Sequence, residues 1–175
     1  MAVYEESRTD TMTVPHYAVR AMDLRGDLER TRRELVVANS HPYQLDVVAF
    51  DVADAVSSVG GWLFDLARAG WEVTAFVPED CDPRPLHILG AKTLSLEDWI
   101  GSDDRRPRAL AVAAGLVAGN SLVRGAVFAA LRSGVTQVSV WGVKRSCSLA
   151  QCIDDAQHQL SAAAKAFKSQ AVAAT

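Results

Sequence analysis

The chain has 175 residues, 49% of them hydrophobic and 22% charged, with a formal net charge of -3. That balance belongs to a globular protein with a real core. The mild acidity argues against a general nucleic-acid binder, and no apolar run approaches the roughly 20 residues needed to cross a bilayer.

Residues 1 to about 20 carry a polar, mildly acidic stretch, Met1 to Thr13, with neither a basic start nor an apolar run. They read as a flexible arm without a signal peptide. From 21 to 40 the pattern turns helical, with Leu24, Leu28 and Leu35 on one side and ion pairs at i,i+4 spacing between Glu29 and Arg33 and between Arg30 and Glu34. Pro42 closes this N-terminal helix.

The residues from 43 to 175 read as a single Rossmann-like domain. Short apolar runs at 45–50, 71–77, 92–96, 109–115 and 136–141 predict five strands. Between the first two, Trp62, Leu63, Leu66 and Ala67 recur at helical spacing before Gly70. A turn-rich stretch and a short helical piece end at Gly90, and 97–108 reads as a charged surface loop. Asn120 or Ser121 caps a further helix that Gly134 ends. Ser148 to Gln151 has the form of a capping box and predicts a long C-terminal helix to about Ala171, with Phe167 as a candidate interface anchor. Strands separated by helices pair in parallel through right-handed crossovers. The expectation is an α/β, doubly wound, five-stranded sheet in the order 3-2-1-4-5, with extra helices at both ends.

In such a sheet the ligand crevice lies beyond the carboxyl ends of the strands where the winding reverses. Asp51, Asp54, Gly60 and Gly61 follow the first strand. Gly115, Gly119, Asn120 and Ser121 follow the fourth, and Lys144, Arg145 and Cys147 the fifth. Glycines beside helix starts admit an anion to backbone N–H groups, which points to a small phosphate- or nucleotide-containing ligand. Each group has a second reading: helix-on-sheet packing for the glycines, capping for Asp51, Asp54, Asn120 and Ser121, and solvated charge for Lys144 and Arg145. No Gly-x-Gly-x-x-Gly follows the first strand and no Gly-Lys-Ser/Thr follows the glycines, so neither dinucleotide nor P-loop chemistry is expected. The cysteines Cys81, Cys147 and Cys152 read as free thiols of a reducing, cytoplasmic compartment.

The run from Gly60-Gly61 to Leu66-Ala67-Arg68-Ala69-Gly70-Trp71-Glu72-Val73-Thr74, with Gly90-Ala91-Lys92 and Trp141-Gly142, resembles the N-terminal half of glycosyltransferases built from two Rossmann domains. The resemblance spans about 47–142 and implies half of a sugar-handling enzyme, without the domain that holds the nucleotide-sugar donor. Over 47–90 the chain also resembles zinc-dependent N-acetyl-sugar deacetylases. That resemblance sets Asp51 and Asp54 at two metal-ligand positions and Ala53 where the family has its catalytic aspartate, so no zinc and no cofactor are expected. The leading expectation is a non-catalytic or accessory protein that binds a small anion or a partner protein. The alternatives are a sugar or nucleotide-sugar enzyme, and a self-associating scaffold that uses the terminal helices.

Overall fold

The computed structural model describes residues 14–19, 43–102, 105–142 and 154–175. Seven strands form one sheet: β1 (Val14–Val19), β2 (Gln44–Val48), β3 (Glu72–Val77), β4 (Lys92–Ser95), β5 (Ala109–Ala113), β6 (Gln137–Trp141) and β7 (Asp154–His158). Their order is β4-β3-β2-β5-β6-β1-β7. The pairs from β4 through β6 are parallel, and these five strands reproduce the expected 3-2-1-4-5 order. Six helices are described: α1 (Val52–Arg68), α2 (Arg84–Ile88), α3 (Leu96–Ile100), α4 (Ala114–Gly119), α5 (Ser121–Ser133) and α6 (Ala162–Ala173).

The strands are apolar on both faces because both are covered. Side chains in β2 alternate between them: Leu45 and Val47 join the core under α1, α2 and α6, whereas Val48 joins the core under α3, α4 and α5. The alternation also sends Asp46 into the second core, where it is 0% exposed. Arg105 answers it with a two-pronged bond, Nε to Oδ2 at 2.9 Å and Nη2 to Oδ1 at 2.8 Å. The same guanidinium lies 4.9 Å from the Phe76 ring centroid. A buried carboxylate needs such a partner, and a planar fork matches its two oxygens.

Three expectations change at this level. Residues 14–19, read as part of an arm, form β1, which pairs antiparallel with both β6 and β7. The long C-terminal helix is divided: 154–158 is strand β7, and α6 begins only at the Ser161 cap, whose side chain accepts from the Ala164 N–H. The polar run Asp-Asp-Ala-Gln-His carries no apolar signal for a strand, and β7 stands at the edge of the sheet. The surface loop of 97–108 opens with α3, which Ser95 caps by accepting from the Glu97 and Asp98 N–H groups. Phe167, the candidate interface anchor, stacks on Phe64 of α1 at 4.5 Å between ring centroids and is still 45% exposed. The N-terminal helix of 21–40 and the capping box at Ser148 lie outside the described residues.

The Asp46–Arg105 pair yields a prediction. Arg105→Met leaves a buried carboxylate alone and lowers stability by about 3–5 kcal/mol, whereas Asp46→Leu with Arg105→Met recovers most of the loss. Urea unfolding of the three proteins checks this; equal losses in the single and the double variant would show that the pair is not coupled.

Candidate functional site

Winding reverses between β2 and β5. The chain leaves β2 for α1 on one face of the sheet and leaves β5 for α4 and α5 on the other. A cleft of about 700 Å³ opens there, over the carboxyl ends of β2, β5 and β6. From β2 and α1 it receives Phe50, Asp51 and Asp54, from β5, α4 and the α5 cap Ala113 to Leu116, Gly119 and Asn120, and from β6 Trp141 and Gly142. Gly142 has φ +73°, a left-handed turn that lets the chain leave β6 beside the cleft.

Asp51 caps α1 from an extended backbone (φ -141°, ψ 134°). Its Oδ1 accepts from the Ala53 N–H and its Oδ2 from the Asp54 N–H, each at 3.2 Å. Asp54 is held in turn: its Oδ2 accepts from the Trp141 indole Nε1 at 2.8 Å and its Oδ1 from the Ser58 hydroxyl at 3.1 Å. This bond ties the first turn of α1 to the end of β6. Asn120 caps α5, its Oδ1 accepting from the Leu122 and Val123 N–H groups at 2.9 and 3.2 Å. Phe50 lines the cleft and is 70% exposed.

Thus Asp51, Asp54, Gly119 and Asn120 meet in one cleft, and Ser121 follows as the first residue of α5. Gly60 and Gly61 do not join them. They sit in the middle of α1, buried against the elements that follow. A Cβ on Gly61 would stand 2.6 Å from Leu160 Cδ1, and one on Gly60 would stand 3.0 Å from Leu89 Cδ1 and 3.9 Å from Cγ of the buried Lys168. Burial lowers the Lys168 pKa from its ordinary value. The glycine pair therefore lets α2, α6 and Leu160 close on α1, and its N–H groups belong to the helix. Lys144, Arg145 and Cys147 lie outside the described residues. Phe50, Trp141 and the small residues of α4 complete the cleft. The sequence had marked Gly115 by its place after the fourth strand and Trp141-Gly142 through the glycosyltransferase resemblance, but it singled out neither Phe50 nor the rest of α4.

These contacts alter the expected ligand chemistry. An anion at a helix start needs N–H groups free to point at it. At α1 and α5 the side chains of Asp51 and Asn120 each already take two N–H groups of the first turn, whereas the short α4 starts without a side-chain cap. Cys81 packs near the start of α1; burial raises its thiol pKa, and the nearby Asp80 and Asp51 add to this against a hydrogen bond at Val52. A thiol held protonated is a weak nucleophile. Among the described residues no group of three or more His, Cys, Asp or Glu is placed to hold a metal.

Two other features lie away from the cleft. A cavity of about 330 Å³ between α3 and α5, at the opposite ends of the strands, is lined in part by Trp99 and Arg105. Its Arg105 is committed to Asp46. Asp65, His158 and Ser161 share the residue types of a hydrolytic triad in a different wiring. Asp65 is central: its Oδ1 accepts from the Ser161 hydroxyl at 2.6 Å, and its Oδ2 lies 3.0 Å from His158 Nε2 and accepts from the Ser161 N–H at 3.1 Å. Serine and histidine both address the aspartate, so the group latches the start of α6 to α1 and forms no nucleophile–base pair.

Compared with known proteins, the chain matches no family model, no curated protein and no solved structure.

Two predictions follow from these contacts. Gly61→Ala collides with Leu160 and costs about 1–3 kcal/mol, whereas Gly115→Ala, with nothing within 4 Å of the added carbon, is neutral or stabilising. Thermal melts of both variants separate packing from a general glycine effect. For Asp65, burial pushes the pKa up, but hydrogen bonds from Ser161 and His158 outweigh it and hold the carboxyl below the ordinary aspartate range. Its stabilisation is therefore full above the ordinary value and is lost as pH falls through the lower folded one. The stability gap between wild type and Asp65→Asn, measured by urea unfolding, closes only in that acid window. A gap unchanged across it would refute the latch.

Proposed function

We propose that the chain is a non-catalytic, Rossmann-like binding protein that takes a small molecule in the cleft between β2 and β5. The observation that carries this reading is the cleft itself, about 700 Å³ at the reversal point of the sheet. That volume lies within the range of small-molecule sites. Its two carboxylates, Asp51 and Asp54, share the α1 wall, Asn120 stands at the α5 cap, and the rest of the lining is apolar or glycine. Asp54 is steadied by Trp141 and Ser58, and Asp51 by the helix it caps, so both carboxylates are held in place before a ligand arrives. Preorganised groups lower the cost of binding.

The non-catalytic part of the reading draws on the same contacts. Among the described cleft residues no serine, cysteine or lysine stands beside a base. A role as a sugar-handling subunit would use the same cleft. The glycosyltransferase resemblance lends it little, because the Gly60-Gly61 pair serves the packing of α1.

Gly115 provides the test. It lines the cleft, and a side chain there meets open space. Gly115→Phe fills the cleft and leaves the fold intact. Ligand-observed NMR of a small-molecule fragment collection should give hits on wild-type protein that are lost in Gly115→Phe. Hits that persist in the filled variant would place binding elsewhere, and a collection without hits would end the reading.

A further inference from the structure

Resting on that reading, we infer that the ligand of the cleft is a small organic cation with an apolar body, an amine or amidine rather than a phosphate. Three observations in one cavity support this class. First, two carboxylates, Asp51 and Asp54, face the space, and each oxygen that accepts a bond from the protein retains a lone pair for a donor. Second, at the two longer helix starts the side chains of Asp51 and Asn120 each accept from two first-turn N–H groups, which leaves fewer of them for an anion. Third, Phe50, the residue before Asp51, lines the cleft and is 70% exposed. An aromatic face next to a carboxylate attracts an ammonium group, whereas it offers nothing to phosphate.

The apolar part of the ligand has its own place. Leu96 and Leu116 form the wall on the side of α3 and α4, and Ala113, Ala114 and Gly115 leave the floor free of bulky side chains. A flat or branched hydrocarbon group fits there with its charged end turned toward α1. Trp141 lies under this end, its indole N–H bound to Asp54, and so reports any donor that competes for that carboxylate.

The test is a charge series of near-equal shape: phenethylamine, 2-phenylethanol and 3-phenylpropanoate. Each is titrated into ¹⁵N-labelled protein while the Trp141 indole N–H resonance is followed, assigned by its loss in Trp141→Phe. The expected order is cation over alcohol by roughly tenfold or more, a gap of about 1.4 kcal/mol, with the anion weakest. Asp51→Asn and Asp54→Asn should each reduce the advantage of the amine over the alcohol. Three results would overturn the cation assignment while the cleft reading stands: equal affinities across the series, tighter binding of the anion, or anion binding that is lost in Lys144→Ala with Arg145→Ala. If none of the three compounds moves the Trp141 resonance or any other cleft resonance, both the assignment and the cleft reading fail.

Discussion

A carboxylate in the middle of a hydrophobic sheet sets a condition that the surrounding chain has to meet. Asp46 stands on the central strand β2 with β3 and β5 on either side, and its side chain is buried. Only a fully matched partner makes that position tolerable, and the partner arrives from the loop before β5. Binding Arg105 therefore fixes where this loop crosses the foot of the sheet. The guanidinium in turn rests on Phe76 of β3, so one charged contact joins three successive parts of the sheet. The pair lies at the end of β2 opposite the cleft. The strands whose tips line the cleft are thus registered at their far ends, and the tips are left to carry function.

The opposite face is organised by absence of side chain. Gly60 and Gly61 remove bulk from the buried side of α1, and Leu89, Leu160 and Lys168 occupy the space. The Asp65 latch then sets where α6 starts. Helix α1 is therefore gripped along its length and tied at its first turn to β6 through Trp141. A wall fixed in this way can hold carboxylates in a set geometry, which a site on a free loop does less well.

Much of this was legible in the chain itself. Runs such as Leu45 to Ala49 and Ala109 to Ala113 are too apolar for anything but a strand covered on both faces, and the helical spacings between them dictated parallel crossovers. Asn120 and Gly134 marked the ends of α5 correctly because capping is a local property. Long-range facts were not legible. The glycine pair looked like a helix start, because spacing alone does not reveal that Leu160, about a hundred residues later, needs its room. Arg105 looked like one more surface charge, since nothing in its neighbourhood announces Asp46. The site was legible in part: Asp51, Asp54, Gly119 and Asn120 do converge, while the hydrogen bonds that Asp51, Asp54 and Asn120 make within the protein were not readable from the chain. A capping residue and an anion-binding turn share one sequence signature and differ only in who occupies the N–H groups.

The place of β1 bears on how the molecule is made. This strand lies between β6 and β7, pairing His16 with Trp141 on one side and Val14 with His158 on the other. It leaves the ribosome before both of its neighbours, which emerge roughly 120 residues later or more. The five parallel strands can assemble as synthesis proceeds, but β1 must wait with both of its hydrogen-bonding edges open. Until β6 and β7 appear, those edges are available to another nascent chain or to a chaperone that binds extended segments. The last step of assembly is then the insertion of an early strand between two late ones, a slow event because its contacts are far apart in the chain.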